Sequence, residues 1–303
     1  MVVPDTLNVS ALIPVIEQIY VLERRRLSFI PDPTIFCALL IYCILNVSHG
    51  IDMAVSVRNL ALSSEIQENS LPKTFPFLPE RKEFDLFASM KAARKVGGDF
   101  YDFLMVDEDH LALVIGDVSD KGIPAALFMM RTRTLIRNTL LAGEKPAEVM
   151  FQVNQQLCEG NSAELFVTVW LAVVELSTGK GVAVNAGHLH PVLKRADGDY
   201  RLIKYQHSMA VAVMENMSFE ERKFTLTPGD VIFVYTDGVT EARNTERKLF
   251  GEARLVDVLN SEEEEHTPEE IVNNVSEHLA AFANGASQSD DITMLCMTYF
   301  GKE

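Results

Sequence analysis

The stretch LALVIGDVSDKG, residues 111–122, joins an apolar run to an acidic turn, and it decides what fold and chemistry we expect. Its β-branched and aliphatic residues predict a buried strand over Leu111–Val118. Asp117 stands near the end of that strand, where a carboxylate costs folding free energy unless a cation holds it. Three further segments place aspartate beside glycine or a second acid in the same way: VGGDFYDF at Val96–Phe103, YTDGVTEA at Tyr235–Ala242 and SDDIT at Ser289–Thr293.

Oxygen-rich clusters of this kind are typical sites for hard divalent ions such as Mg²⁺ and Mn²⁺. Each segment alone has a plainer interpretation, since Asp237-Gly238 would suit an ordinary turn and Asp290-Asp291 a loop before a strand. Their joint occurrence argues against four unrelated turns. We therefore predict a carboxylate-bound metal centre.

The order of these segments, together with NAGHLHP at Asn185–Pro191, resembles a family of bacterial metal-dependent protein phosphatases. These are the phosphatases of the sporulation stage II protein E and sigma-B-regulator type, a branch of the protein phosphatase 2C superfamily. The resemblance runs from about Ile66 to Tyr299. It implies an α+β fold with two packed antiparallel β-sheets flanked by helices, an α-β-β-α sandwich, preceded by an N-terminal helical segment.

The resemblance also implies the roles of individual residues around two Mn²⁺ or Mg²⁺ ions. Asp117 would bridge both ions, and the backbone carbonyl of Val118 would add an oxygen ligand. Asp99 would bind one ion, and Asp237 and Asp290 would bind the other. Water activated by such a pair of ions attacks phosphorus directly, so no nucleophilic side chain is needed.

Several neighbouring residues have roles that the motifs leave open. We expect Asp291 to be structural or to support the ligands from outside the metal site, and Asp102 and Asp120 either to hold an extra metal through water or to be solvated loop acids. Lys95 could contact a substrate phosphate or offset the nearby acids. Arg131, Arg133 and Arg137 would either form surface ion pairs or contribute to a regulatory face. Of the two histidines His188 and His190, we expect His188 to make a structural hydrogen bond in a turn.

Composition limits the range of partners and compartments. The formal net charge of -16 argues against binding to nucleic acid, whose phosphates the protein would repel. The four cysteines, Cys37, Cys43, Cys158 and Cys296, show neither CxxC pairing nor zinc-ligand spacing. Scattered cysteines of this kind are typical of a reducing compartment, so we predict a cytoplasmic protein. Glu262–Glu265 is predicted to be a solvated loop or helix start.

We divide the chain into an unassigned apolar segment at 1–50, an amphipathic helix and Pro-rich linker at 51–79, and a catalytic domain at 80–300. The run Ile35–Val47 is shorter than the roughly 20 residues of a spanning helix. Two interpretations of it stay open, a buried helix and a membrane-embedded or interfacial segment. Residues 51–70 carry apolar positions at helical spacing, Met53, Val57, Leu60 and Ala61, and the resemblance implies a homodimer through this helix.

Strand and helix patterns alternate through the remainder of the chain. The predicted strands are Glu83–Met90, Phe100–Val106, Leu111–Val118, Leu165–Leu176, Lys180–Ala186, Pro191–Arg195, Phe219–Leu226, Val231–Tyr235 and Asp291–Tyr299. The predicted helices are Pro124–Leu141, Pro146–Cys158, Gly251–Leu259 and Pro268–Asn284.

The predicted function is therefore a serine/threonine phosphatase acting on a phosphoprotein. The resemblance implies a phosphorylated anti-sigma-factor antagonist, or a similar small regulatory domain, as the substrate. Two alternatives stay open: a catalytically inactive regulator of the same fold, and a phosphate monoesterase acting on small molecules.

Overall fold

The computed structural model describes residues 33–261 and 266–302. The chain divides into two units, Met1–Leu62 and Ser63–Glu303. The first 32 residues of the predicted N-terminal segment and the acidic run Glu262–Glu265 lie outside the described residues. The boundaries predicted at residues 50 and 79 stay a prediction.

The first described element is a helix, α1 (Pro33–Ser70), 38 residues long. The helix continues through Gly50, because one glycine inside a helix costs only about 1 kcal/mol. The helix ends before the proline-containing segment that begins at Leu71, as predicted. None of the described helices has the length and apolar character needed to cross a bilayer.

Of the two open interpretations of residues 35–47, the buried helix does not fit the structure, because Tyr42, Leu45 and Val47 are exposed. Residues 51–70 were expected to have one apolar stripe. At about 100° per residue, Ile51, Val55 and Leu62 lie on the face opposite Met53 and Val57, and all five are exposed. Apolar side chains are thus spread around the helix, and one neighbouring surface could not cover them all.

The rest of the described chain builds two five-stranded antiparallel sheets. Sheet A has, in spatial order, β1 (Phe84–Lys91), β10 (Ile292–Tyr299), β9 (Val231–Tyr235), β6 (Val192–Lys194) and β7 (Tyr200–Leu202). Sheet B has β2 (Phe100–Met105), β3 (His110–Val118), β4 (Val167–Glu175), β5 (Lys180–Ala186) and β8 (Glu221–Thr225). The helices are α2 (Ile123–Leu141), α3 (Pro146–Cys158), α4 (Asp237–Thr240), α5 (Gly251–Leu259) and α6 (Pro268–Ala283).

Strand β9 of sheet A is buried on both faces, which explains its continuous apolar sequence. In β9, Ile232 and Val234 join the core between the sheets, whereas Phe233 and Tyr235 join a second core beneath α5 and α6. Successive side chains of a strand point to opposite faces, so both sets are covered. Helices α2 and α3 pack on sheet B. The result is the predicted α-β-β-α sandwich, and the fold class is confirmed.

From residue 80 onward, element boundaries differ from the predictions by at most two residues, and two short elements were missed. Strand β7 has only three residues, and α4 is a single turn that begins at Asp237. Neither is long enough to show a periodic apolar pattern.

Candidate metal centre

The four predicted aspartate ligands meet at one end of the sandwich. Asp117 is the second-last residue of β3. Asp99 directly precedes β2, which pairs with β3. Asp237 begins α4 after β9, and Asp290 lies two residues before β10, which pairs with β9. Sheet B therefore supplies two carboxylates and sheet A the other two.

Asp99 is buried and is tied to the opposite sheet by two hydroxyl groups. Its Oδ2 accepts hydrogen bonds from Thr236 Oγ1 at 2.7 Å and from Thr293 Oγ1 at 2.6 Å. Burial, followed by the charge of Asp117, raises the pKa of Asp99 well above its usual value, and the two threonine hydrogen bonds act against this rise. Sequence analysis missed both threonines, although each lies inside one of the quoted motifs.

Asp117 and Asp237 are held close to other carboxylates with little compensating charge. Burial, then the charge of Asp237, raises the pKa of Asp117 to about 7, and Asp290 adds to the rise. Burial, then the charge of Asp290, raises the pKa of Asp237 to about 6, while the charge of Lys121 lowers it. A group of carboxylates with raised pKa values is electrostatically suited to bind a cation.

Asp290 differs from the other three because it has a cationic partner. Lys121 Nζ lies 2.8 Å from Asp290 Oδ2. The other oxygen, Oδ1, accepts a hydrogen bond from the backbone N–H of Asp291 at 2.9 Å.

Asp291 holds the loop that carries Asp99. Its two carboxylate oxygens accept hydrogen bonds from the backbone N–H groups of Ala93 and Gly98, both at 2.8 Å. A Cβ atom on Gly97 would lie 2.1 Å from Asp291 Oδ2, and one on Gly98 would lie 2.8 Å from the carbonyl oxygen of Val118. Both glycines are therefore required by close approach. These contacts give Asp291 the structural position expected of it.

The last turns of α1 reach the same loop. The side-chain amide of Gln67 donates to the carbonyl of Gly97 at 2.6 Å, and its Oε1 accepts from the Gly97 N–H at 3.0 Å. Gln67 is buried. This pair of hydrogen bonds connects α1 to the backbone two residues before Asp99. Nothing local to Gln67 in the sequence indicates this contact, which is made thirty positions away.

The donor set fits a hard divalent cation, because it consists of carboxylate oxygens with one adjacent backbone carbonyl. In the described ranges, however, no three His, Cys, Asp or Glu side chains already lie close enough together to hold a metal ion. Two of the four carboxylates are engaged by protein groups, Asp290 by Lys121 and Asp99 by two threonine hydroxyls. Asp99, Asp117, Asp237, Asp290 and the Val118 carbonyl thus remain the predicted ligands.

The interpretation of Asp102 as a solvated loop acid is wrong. Asp102 lies within β2 and is 1% exposed. Its carboxylate pairs with Arg137 Nη1 at 2.8 Å and Arg133 Nη2 at 3.1 Å. These two arginines of α2 thus neutralise a buried acid, whereas Arg131 hydrogen-bonds the carbonyl of Gln156.

The remaining candidates have ordinary surroundings. Asp120 is exposed in the loop after β3, as the solvated-loop interpretation expects, and Lys95 is exposed and makes no ion pair with any described residue. His188 is buried and makes the expected structural contacts, with its backbone N–H on Asn185 Oδ1 and its ring between Thr168 and Tyr235. Burial lowers its pKa to about 4, so the ring is neutral. His190 bonds the carbonyl of Tyr205.

Comparison with known proteins agrees with this architecture. Residues 107–300 match the Stage II sporulation protein E family, a segment that contains Asp117, Asp237 and Asp290 but not Asp99. Protein IcfG of Synechocystis is 30% identical over 280 residues, which cover 83% of this chain and 43% of that protein. Phosphoserine phosphatase RsbP of Bacillus subtilis is 27% identical over 61% of this chain and 45% of its own length. The chain thus aligns with less than half of either relative.

Among solved structures, the SiaA-PP2C domain of Pseudomonas aeruginosa superposes with a TM-score of 0.71 and 22% identity. The superposition covers 82% of this chain and 98% of that domain. At this identity the likeness establishes the fold.

Proposed function

Because the chain belongs to the Stage II sporulation protein E family, we propose that it is a metal-dependent protein serine/threonine phosphatase. The observation that carries the proposal is the meeting of four aspartates from two sheets at one end of the sandwich, with raised pKa values at three of them. The relative RsbP is named a phosphoserine phosphatase, which supports the same activity.

In this proposal, Asp99, Asp117, Asp237, Asp290 and the backbone carbonyl of Val118 would hold two Mn²⁺ or Mg²⁺ ions. When bound, such ions lower the pKa of water and polarise the phosphoryl oxygens, which supplies both the nucleophile and the charge stabilisation for hydrolysis. The protein's own part is positioning. Thr236 and Thr293 orient Asp99, and Asp291 fixes the loop behind it.

The proposed substrate is a phosphorylated regulatory protein, specifically a phosphorylated anti-sigma-factor antagonist. Its dephosphorylation would release a sigma factor by partner switching. The proposal includes a cytoplasmic location, which the scattered cysteines support: Cys43, Cys158 and Cys296 are free thiols.

A homodimer through residues 51–70 completes the proposal. The apolar side chains exposed on both faces of this stretch, among them Ile51, Met53 and Val57, favour association of α1 with other helices. The contacts of Gln67 with Gly97 provide a route by which the position of α1 could act on Asp99.

The test compares phosphate release from a phosphoserine protein with release from a generic aryl phosphate, each with Mn²⁺ and with chelator. We expect Mn²⁺-dependent turnover of both, with higher kcat/KM for the protein. Turnover of the aryl phosphate alone would support the small-molecule alternative. No turnover of either substrate, by protein that binds Mn²⁺, would support the inactive regulator.

A further inference from the structure

Lys121 places an ammonium group within the aspartate cluster. Its Nζ lies 2.8 Å from Asp290 Oδ2 and donates a hydrogen bond of 2.8 Å to the carbonyl of Ser289. Its charge also acts on Asp237. The lysine therefore contacts one predicted ligand and lies near a second.

The loop between β3 and α2 is shaped to present this side chain. Asp120 and Gly122, on either side of Lys121, both have left-handed backbones, with φ of 70° and 87°. The Lys121 N–H donates to Asp120 Oδ1 at 2.7 Å. With this backbone conformation, the Lys121 side chain reaches Ser289 and Asp290, which lie 168 and 169 positions later in the sequence.

We propose that Lys121 is an internal counter-ion of the metal centre, which neutralises Asp290 in the metal-free protein and competes with a divalent ion for that carboxylate. The inference rests on the proposed function, since it takes the aspartates to be metal ligands. The ammonium group 2.8 Å from Asp290 Oδ2 takes up one side of that oxygen and so competes with a divalent ion for it. An ammonium group a few ångströms from a divalent ion also repels it.

The Lys121 side chain can move away from Asp290 when an ion binds. Its side chain is 35% exposed and that of Asp290 is 29% exposed, so water can solvate both groups when they separate. A partly exposed pair of this kind is weak, and the long, flexible lysine side chain can turn toward solvent. Such a pair stabilises the metal-free protein, because the carboxylates keep a partial counter-charge before an ion binds.

The experiment replaces the charge while keeping the length of the side chain, in Lys121→Met. Mn²⁺ binding to the metal-stripped full chain is measured by calorimetry, and thermal unfolding is measured in chelator. We expect the Kd for Mn²⁺ to fall about five- to tenfold because the competing charge is gone. We also expect the Tm of the metal-free variant to fall by about 2–4 °C.

Lys180→Met is the matched control, since it makes the same change of net charge at an exposed lysine that begins β5 and forms no ion pair with any described residue. It should leave both measurements close to those of the parent. If Lys121→Met binds Mn²⁺ no more tightly than Lys180→Met, the inference is wrong while the metal centre stands. If the parent binds no Mn²⁺, the proposed function itself fails.

Asp290→Asn identifies the partner. In chelator, Lys121→Met should lower the Tm of the parent but have little effect on the Tm of the Asp290→Asn protein. An equal loss of Tm in both backgrounds would mean that the lysine stabilises another group, and it would overturn the inference. A lysine that serves only to bind substrate phosphate would leave Mn²⁺ affinity unchanged, which also contradicts it.

Discussion

Replacement of Asp117 by asparagine should stabilise the metal-free protein at high pH and remove its stabilisation by Mn²⁺. The folded protein raises the pKa of Asp117 from 3.8 to about 7, and a rise of this size corresponds to about 4 kcal/mol against the charged form. The net gain is smaller than this value, because Asp237 and Asp99 can also bind protons and so relieve part of the repulsion in the parent protein. We therefore expect a net gain of about 1–3 kcal/mol at pH 8.

The pH dependence has a definite sign. Because the pKa is higher in the folded than in the unfolded protein, the folded protein binds more protons between about pH 4 and pH 7. The metal-free parent must then lose stability as the pH rises through this window. Asparagine has no proton to lose, so the advantage of Asp117→Asn should be smaller at pH 5 than at pH 8.

Urea unfolding in chelator measures this effect, with fluorescence of the single tryptophan, the buried Trp170, as the probe. Asp197→Asn, at an exposed aspartate in the β6–β7 turn, is the control for loss of a charge. Added Mn²⁺ should stabilise the parent and the control but not Asp117→Asn. An Asp117→Asn protein that is less stable than the parent at pH 8, or one that Mn²⁺ still stabilises, would refute the reasoning.

Three further predictions concern α1 and the reaction. Gln67→Ala should lower the free energy of unfolding by about 2 kcal/mol, because it leaves two buried backbone groups of Gly97 unpaired. The Mn²⁺ concentration needed for half-maximal activity should also rise. If neither value changes, the contact between Gln67 and Gly97 has no effect on stability or on the metal centre. Leu60→Glu should change both the mass seen by light scattering and the turnover; a parental result for Leu60→Glu would make the helix a tether. Phosphotyrosine should be a poor substrate, and turnover should leave no phosphorylated side chain, since water attacks directly; mass spectrometry that traps a phosphoenzyme during turnover would rule this out.

The strands and most helices could be predicted because their signals are local. Val231–Tyr235 and Gly251–Leu259 were placed without error, since an apolar run or a helical period is contained in the segment itself. The positions of the four aspartates at strand ends and turns were likewise visible, and the fold brings them together. Their roles as ligands stay a prediction.

What the sequence could not indicate depends on partners far along the chain. Asp102 was taken for a loop acid although it lies inside the predicted strand Phe100–Val106, because its partners Arg133 and Arg137 are more than thirty positions away. The hydroxyl groups of Thr236 and Thr293 become partners of Asp99 only when the two sheets stack. The exposed apolar faces of α1 also escaped prediction, because a helical pattern of four residues was taken for the whole surface.

The most direct test of the central claim is phosphate release from a phosphoserine protein as Mn²⁺ is titrated into the metal-stripped full chain. The parent and Asp197→Asn should both gain turnover with added Mn²⁺ and lose it with chelator, while Asp237→Asn should stay inactive at saturating Mn²⁺ although it folds. Turnover that persists in chelator, or that Asp237→Asn retains, would contradict a phosphatase built on this metal centre.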